Sequence, residues 1–506
     1  MGSADMKRWR RTAAYLIVLA LSGGQLTGCG RDVPGESDEA EEFTAEVIAV
    51  YEAEEAVFAG KVHEEMGKEE CSGGGYATGF QDDGDSCMFS VEIPEDGFYD
   101  LQFGSAASDY KENYVHVDGE PMGNLVTDSK AFAESGISRV YMTAGAHEVS
   151  VFKFWGWIDL DYLKIMTSKP IPASTYQVSA ELVNENAIDN AKRLMSYLAD
   201  NYGTKILSGQ YCDTGINGKE FQVIKKVTEK LPAVLGLDFM EYTPSFVEHG
   251  STGHSTDLAI QCWEQGGIVT FCWHWNAPTK YLTGNWYSGF YTEYTNLDLA
   301  KVMNGEDAEG YALLMQDIDA IASQLSILQE EGVPVLWRPL HEASGGWFWW
   351  GAAGPEAYIQ LYRLLYDRLV NEHGLNNLIW VWNGQDKDWY PGDEYVDIIG
   401  EDIYPGERVY TSQVNKYLEA VEYTEAGKMV VLSENGCVFD PDLAVRDGAM
   451  WGFWCTWSGE FVAKDTAVFT YSDQYTESDA LKRFYEAEVV VTLDELPNLK
   501  EYPIRN

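Results

Sequence analysis

Two glutamates each stand at the end of an apolar run, where a buried strand would present a side chain to a site. Glu342 ends the run PVLWRPLHE, and Glu434 ends the run MVVLSE. Two carboxyl groups that approach one glycosidic bond from opposite sides are the minimal equipment for hydrolysing it. Trp347, Trp349 and Trp350 follow the first glutamate, and indole rings stack on the apolar faces of sugar rings. The pattern therefore predicts glycoside hydrolysis where two strands end.

Eight apolar runs are candidates for the strands that position these carboxyl groups. They are KILSGQY at 205, PAVLGLDF at 232, GGIVTFCWHW at 266, PVLWRPLHE at 334, NLIWVWNG at 377, VDIIGEDIY at 396, MVVLSENG at 429 and GAMWGFWCTW at 448. Amphipathic stretches such as YALLMQDIDAIASQLSILQEE separate them. Continuous apolar runs indicate strands buried on both faces, and eight strand–helix units predict a (β/α)8 TIM barrel. Sites in such barrels lie where the strands end, so the candidates by position are His274, Glu342, Asp402, Tyr404 and Glu434.

The chain before the barrel has a different pattern. Short alternating runs broken by turn residues, such as NYVHVDGEPMG and RVYMTAGAHEVSVFKF, predict an all-β antiparallel sandwich of the jelly-roll type. The proline-bearing stretch SKPIPAST predicts a linker. We therefore expect a multidomain protein with this order: a sandwich at 46–168, a linker at 169–176, the barrel at 177–495 and a tail at 496–506.

The first residues predict export rather than structure. Residues 1–29 have a basic start, a short apolar stretch and small residues, as in a signal peptide. Leu26-Thr27-Gly28-Cys29 resembles a bacterial lipobox, which implies cleavage before Cys29 and acylation of its thiol. An acidic tether follows at 30–45. We expect an extracellular, cell-surface lipoprotein; an ordinary secretory signal with an incidental cysteine is the alternative.

Composition excludes some partners. The chain of 506 residues carries 35 Lys and Arg against 81 Asp and Glu, a net charge of −46, which repels nucleic acid and favours a neutral substrate. Seven cysteines follow Cys29, and their spacings match no zinc pattern. Disulfides between Cys71 and Cys87 or between Cys262 and Cys272 are one interpretation, and buried reduced thiols are the other.

The segments LSGQ, CWHWNAP, RPLHEASGGWFWWG, WVWNG, GEDIYPG and VLSENG occur in the order found in glycoside hydrolase family 26. The barrel region, from about 180 to 490, resembles this family, whose typical members are endo-β-1,4-mannanases. The resemblance implies a retaining hydrolase of mannan, galactomannan or glucomannan. Glu342 would be the acid/base and Glu434 the nucleophile, with no cofactor for catalysis. We expect a monomer that binds β-mannan polysaccharide.

Further residues gain roles from the same resemblance. His274, His341 and Trp347 would shape the central sugar subsite, and Asp402 and Tyr404 would lie under the nucleophile. Three tryptophans are candidates for substrate contact by position rather than by resemblance. Trp286 belongs to an aromatic insert after the third strand, where loop packing is the alternative. Trp454 and Trp457 stand three apart on opposite faces of a strand, so only one of them need face the cleft. The alternatives are a related barrel hydrolase acting on mixed-linkage β-glucan or β-1,3-xylan, or a non-catalytic surface lipoprotein that captures glycans.

The runs EAEEAVF, SGGGYATGF and WGWIDLDYLKI resemble carbohydrate-binding module family 35, over residues 47 to 166. The resemblance implies a structural calcium held by Glu52, Glu54 and Asp161, whose oxygens suit that cation. The alternative is that these acids face solvent. Trp155 and Trp157 flank a glycine in a loop, which predicts sugar binding, with core packing as the alternative for one of them.

Overall fold

The computed structural model describes residues 43–68, 70–466 and 468–505. The described chain divides into two compact units between Pro170 and Ile171, inside the predicted linker. The predicted signal peptide, Cys29 and nearly all of the tether lie outside the described residues. Within the described ranges, no helix combines the length and the apolar character needed to cross a bilayer.

The first unit consists of two antiparallel sheets packed over one apolar core, which confirms the predicted all-β sandwich. One sheet has the order β3-β4-β11-β6-β9 with β1 paired to β11, and the other has the order β2-β5-β10-β7-β8. Inward residues alternate with solvent-facing ones, as in β7, and the core includes Leu101, Phe103 and Leu163. The strands are β1 (Val47–Glu52), β2 (Val57–Ala59), β3 (His63–Met66), β4 (Gly75–Thr78), β5 (Ser86–Ile93), β6 (Gly97–Ala106), β7 (Lys111–Val117), β8 (Glu120–Thr127), β9 (Ala133–Met142), β10 (Gly145–Lys153) and β11 (Asp159–Thr167).

The second unit is a closed barrel of eight parallel strands, and each of the eight predicted runs contains one of them. Strands such as β15 and β16 are buried along their whole length, because the barrel interior covers one face and helices cover the other. The barrel strands are β13 (Gly209–Tyr211), β14 (Val234–Asp238), β15 (Ile268–Trp273), β16 (Val335–Pro339), β17 (Leu378–Trp382), β18 (Ile398–Ile403), β19 (Met429–Asn435) and β20 (Trp454–Thr456), while β12 (Ile206–Leu207) pairs separately with β21 (Val490–Val491).

Helices lie between the barrel strands. Their bounds are α1 (Asp189–Asn201), α2 (Lys219–Thr228), α3 (Pro244–Glu248), α4 (Ser255–Glu264), α5 (Leu299–Met303), α6 (Ala308–Glu330), α7 (Pro355–Tyr366), α8 (Val414–Val421), α9 (Pro441–Asp447) and α10 (Ser478–Glu486). Trp380 on β17 faces outward and packs against Tyr362 and Tyr366 of α7, so this indole belongs to the core.

All seven cysteines of the described chain are free thiols, so neither suggested disulfide is present. The two barrel thiols of the suggested pair point at different carbonyl groups, Cys262 toward Ile268 and Cys272 toward Leu237. Both are fully buried, which matches the alternative of small apolar core residues.

Candidate active site

Glu342 is presented by a tightly constrained turn at the end of β16. Its φ of 53° and that of Leu340, 54°, lie in the left-handed region, which costs free energy for residues with a Cβ. Two hydrogen bonds hold the turn, because the Glu342 N–H donates to the main-chain oxygen of Asn383 at 2.7 Å and to its side-chain oxygen at 2.9 Å. The strained backbone aims the carboxyl group into the mouth of the barrel.

The SGG sequence after Glu342 makes room for Trp347. A Cβ on Gly345 would lie 2.0 Å from the indole ring, and Gly346 has a φ of +70°. The indole folds back over this turn, and its Nε1–H donates to Glu342 Oε2 at 2.8 Å. Trp347 is 48% exposed, so it combines an open ring face with a hydrogen bond to the carboxyl group.

Glu434 lies near the end of β19 and is held by two donors. The buried Arg338 guanidinium donates to its Oε1, and the Tyr404 hydroxyl donates to its Oε2 at 2.8 Å. A register irregularity between Glu401 and Asp402 in the β18–β19 pairing places Asp402 opposite Glu434. Single oxygens of Glu342, Asp402 and Glu434 all lie within 4.8 Å of one another. Two carboxyl groups of different surroundings therefore face each other across the barrel mouth.

Arg338 connects the residues beneath Glu434. Its Nη1–H donates to Asp402 Oδ2 at 2.6 Å, and its Nη2–H donates to the Tyr211 hydroxyl at 3.0 Å. Asp402 Oδ1 accepts from the Ser433 hydroxyl at 2.7 Å. The Asp402 side chain has no exposed surface, so it lies under Glu434 and holds Arg338 in place rather than contacting substrate.

His274 and His341 form a second polar cluster beside the glutamates. Their Nε2 atoms lie 3.3 Å apart, and His274 Nδ1 lies 2.6 Å from Asp238 Oδ2. His341 is only 1% exposed, so it can reach substrate chiefly through the more open His274. The rings of Phe290, Phe348 and Trp457 pack around His274, with centroid distances of 5.1, 5.5 and 5.7 Å.

Several predicted aromatic contacts are wrong. Trp349 and Trp350 are buried, and their indole N–H groups donate to the carbonyl oxygens of Trp275 and His341, so of the three tryptophans after Glu342 only Trp347 is open to a sugar. Trp454 is also buried and packs outward against Phe439 and Tyr485, because alternation along β20 turns it away from the cleft while Trp457 packs on Tyr211 at the site.

Trp286 has a partner of its own. Its ring stacks on His249 at a centroid distance of 4.5 Å and an interplanar angle of 1°. No ring contact joins it to the cluster of aromatic residues around His274 in the described chain. Its predicted contact with substrate stays a prediction.

In the sandwich unit the two predicted indoles differ. Trp157 has a φ of 45°, is 66% exposed and lines a cleft of about 500 Å³ with Gln81 and Asp159. Trp155 lies outside this cleft and packs edge-on against Tyr110. A strained, exposed indole beside a cleft is the stronger candidate for sugar stacking.

Two of the three predicted calcium ligands, Glu52 and Asp161, contact Ser72, and the third, Glu54, lies beside the next residue, Gly73. Ser72 Oγ lies 2.6 Å from Glu52 Oε2 and 3.1 Å from Asp161 Oδ1. A Cβ on Gly73 would lie 2.2 Å from Glu54 Oε1, and Glu54 Oε2 is buried without a partner. Burial raises the pKa of Glu54, and the charges of Glu52 and Asp161 raise it further. The donor set of carboxylate and hydroxyl oxygens fits a hard cation such as calcium.

Comparison with known proteins identifies both units. The model of glycosyl hydrolase family 26 matches residues 183–492, which is more than half of the chain, and the model of carbohydrate binding module family 35 matches residues 49–168. The chain belongs to glycosyl hydrolase family 26. It is therefore a glycoside hydrolase with an amino-terminal carbohydrate-binding module.

Two relatives are similar to nearly the whole chain, and a third is similar to about two thirds of it. A mannan endo-1,4-beta-mannosidase of Thermothelomyces thermophilus is 38% identical over 499 residues, covering 96% of this chain and 98% of that protein. The crystal structure of the Podospora anserina GH26-CBM35 beta-(1,4)-mannanase is 37% identical with a TM-score of 0.63, covering 90% of this chain and 99% of that one. A beta-mannanase from a symbiotic protist of the termite Reticulitermes speratus, solved with a gluco-manno-oligosaccharide, is 32% identical with a TM-score of 0.57, covering 64% and 99%.

Hydrogen bonds and neighbouring charges indicate which of the two glutamates, Glu342 or Glu434, carries a proton. Burial raises the pKa of Glu342 to about 7, the Asp402 charge adds to the rise, and Trp347 and Arg338 oppose it. Burial raises the pKa of Glu434 as well, to about 8, against the opposing charge of Arg338. The two groups titrate as one coupled pair, and their hydrogen-bond donors decide which of them keeps the proton. Glu434 has two donors, one of them cationic, whereas Glu342 has the Trp347 N–H, so the proton resides on Glu342.

Replacing Trp347 by phenylalanine should move one limb of the pH profile. The indole N–H stabilises ionised Glu342, so its loss raises the pKa of Glu342 and keeps the acid protonated to higher pH. We expect the alkaline limb of kcat/KM to shift upward by roughly half a pH unit, with the acidic limb unchanged. Profiles of both enzymes on one soluble oligosaccharide measure this, and an unmoved or lowered alkaline limb would contradict the assignment.

Proposed function

We propose that the protein is an endo-β-1,4-mannanase that hydrolyses mannan, galactomannan or glucomannan with retention of configuration. The observation that carries this proposal is the approach of Glu342 and Glu434 oxygens to within 4.8 Å at the barrel mouth. Retaining glycosidases hold their carboxyl groups about 5 to 5.5 Å apart, whereas inverting ones leave about 6.5 to 9.5 Å for a water molecule. The short separation supports direct attack by one carboxylate.

The two glutamates then act in sequence. Arg338 and Tyr404 stabilise the ionised form of Glu434. This carboxylate attacks the anomeric carbon while Glu342 gives its proton to the leaving glycosidic oxygen. Glu342 is now a carboxylate, and it takes a proton from water as that water attacks the same carbon and releases Glu434. Both steps use the carboxyl groups of this chain, and each glutamate returns to its starting protonation state.

The choice of mannan is supported by the names of the relatives, several of which are mannan endo-1,4-beta-mannosidases. Reducing-sugar release from mannan, galactomannan, glucomannan, lichenan and β-1,3-xylan tests it. Rapid cleavage of the three mannans is the expected result. Preference for lichenan or β-1,3-xylan would instead support a related hydrolase, and no release from any polymer would support glycan capture without catalysis.

We also propose that the amino-terminal module binds the same polymer at the Trp157 cleft and holds calcium through Glu52, Glu54 and Asp161. The unpaired Glu54 Oε2, the contacts of Glu52 and Asp161 with Ser72, and the position of Glu54 beside Gly73 support the cation site. Calorimetric unfolding with calcium or a chelator tests it, because a bound ion raises the unfolding temperature.

Trp157→Ala should weaken polymer binding by the module more than Trp155→Ala does. Trp157 lines the cleft, whereas Trp155 packs on Tyr110. For residues 43–170, a unit with its own apolar core, we expect a loss of roughly tenfold in affinity for soluble mannan, corresponding to about 1.4 kcal/mol. Affinity electrophoresis measures it, with Trp155→Ala as the matched control. Equal migration of Trp157→Ala and the unmodified module would show that the cleft is not the sugar site.

We further propose that Cys29 anchors the enzyme at the outer surface of a bacterial membrane, with the acidic segment 30–45 as a spacer. The support is the lipobox-like sequence before Cys29. Cys29→Ser should move the activity from the membrane fraction to the medium. Retention of that variant on the membrane would contradict the anchor.

A further inference from the structure

Asp238, His274 and His341 form a continuous polar chain across three neighbouring strands. Asp238 ends β14, His274 follows β15, and His341 follows β16 directly before Glu342. Asp238 Oδ2 lies 2.6 Å from His274 Nδ1, and its Oδ1 accepts from the main-chain N–H groups of His274 at 3.1 Å and Met240 at 2.8 Å. One oxygen therefore fixes the backbone of His274 while the other fixes its ring.

The proton positions along this chain follow from the contacts. Both Asp238 oxygens act as acceptors, so His274 carries a hydrogen on Nδ1. Burial opposes the charged ring, but the charge of Asp238 and its hydrogen bond raise the pKa of His274; above that pKa the neutral ring has a lone pair on Nε2. Burial and the charge of Arg338 lower the pKa of His341, so that ring is neutral. His341 Nδ1 is buried without a partner. A hydrogen there would be an unpaired buried donor, so the hydrogen of His341 resides on Nε2 and is donated to His274 Nε2.

We propose that Asp238 is a positioning residue that fixes His274 in the Nδ1–H form and thereby sets the direction of the whole chain. His274 then presents a fixed ring edge to the substrate beside Glu342, and His341 is held behind it. This role deepens the proposed function, since it concerns the subsite where that function places the sugar. Asp238 itself needs no contact with substrate, because it acts through His274.

Asp238→Asn supplies a nearly isosteric test. Its amide oxygen can keep the contacts with the two main-chain N–H groups, which turns the amide N–H toward His274 Nδ1. His274 must then accept at Nδ1 and carry its hydrogen on Nε2, facing the Nε2–H of His341. The tautomer of His274 should invert, and the chain to His341 should break. We expect kcat/KM on mannan oligosaccharides to fall at least tenfold.

The readout is the side-chain 15N spectrum of free enzyme labelled at its eight histidines, with the His274 signals assigned by their loss in His274→Gln. The spectra are recorded above the pKa of His274, where the ring is neutral; the expected result is an Nδ1–H tautomer in the unmodified enzyme and an Nε2–H tautomer in Asp238→Asn. Asp213→Asn is the matched control, because it removes a carboxylate whose charge acts on His274 but which makes no hydrogen bond to His274 among the described contacts. This control should keep the tautomer and lose less than threefold in kcat/KM.

Two results would overturn the proposal. One is an Nε2–H tautomer in the unmodified enzyme, or an unchanged tautomer in Asp238→Asn. The other is an inverted tautomer with kcat/KM within threefold of the unmodified enzyme. The spectra need no substrate, so they test the tautomer of His274 whether or not the enzyme cleaves mannan. If mannan is not cleaved, the proposed function fails, and kcat/KM is then measured on the glycan that the polymer panel identifies.

Discussion

Glu434→Ala should be inactive on mannan and on an activated aryl β-mannobioside alike. Without this carboxylate no glycosyl-enzyme can form, and a good leaving group does not replace the nucleophile. We expect kcat/KM to fall on the order of 10⁴-fold or more on both substrates. Reducing-sugar and aryl-release assays measure the two losses.

Glu407→Ala is the matched control, because Glu407 is an exposed glutamate that follows β18 and bonds only Gln474 among the described contacts. It should keep the activity of the unmodified enzyme. Substantial aryl release by Glu434→Ala would contradict its assignment as the nucleophile.

Glu342→Ala should separate the two chemical steps. An aryl leaving group departs without protonation, so the first step on the aryl β-mannobioside should stay fast, while the second step stalls because no base activates water. We expect a burst of aryl release followed by slow turnover, and a loss of about 10³-fold or more on mannan. Azide needs no general base, so it should accelerate turnover and give a β-mannosyl azide.

The contrast between the two variants decides the roles. If azide instead restores aryl release by Glu434→Ala, with an α-mannosyl azide of inverted configuration as the product, and does not accelerate Glu342→Ala, the roles of the two glutamates are reversed. If neither variant shows a burst or a response to azide, the double-displacement scheme is wrong.

The barrel was predictable because the same pattern, an apolar run followed by an amphipathic stretch, recurs along the chain. Eight buried runs predict the closed parallel sheet, and the polar residues near the ends of several of them predict the rim where Glu342 and Glu434 meet. The same rule also points to Asp238, which ends β14, although it was not among the predicted site residues. The sequence also marked Arg338, because it is a charged residue inside the otherwise apolar strand β16. A guanidinium in such a run needs buried partners, and it finds them in Asp402 and Glu434.

The errors concern side-chain direction, which composition does not encode. Trp349 and Trp350 lie almost as near to Glu342 in the sequence as Trp347 does, but their indole N–H groups donate to main-chain carbonyl oxygens in the interior. Trp347 stays outside because Gly345 lets its ring fold back over the turn. Asp402 was predicted under Glu434, and its side chain is fully buried against Arg338, whereas Glu434 pairs with the same guanidinium and lies at the barrel mouth.

Trapping the covalent intermediate tests the central claim most directly. A 2-deoxy-2-fluoro-β-mannobiosyl fluoride should inactivate the unmodified enzyme, because fluorine disfavours the positively charged transition states while the fluoride leaving group still permits the first step. Proteolysis and tandem mass spectrometry then locate the sugar. Double displacement with Glu434 as the nucleophile predicts one label, on Glu434 in the sequence VVLSENG. A label on Glu342, or hydrolysis of the fluoride with inversion and no label at all, would contradict it.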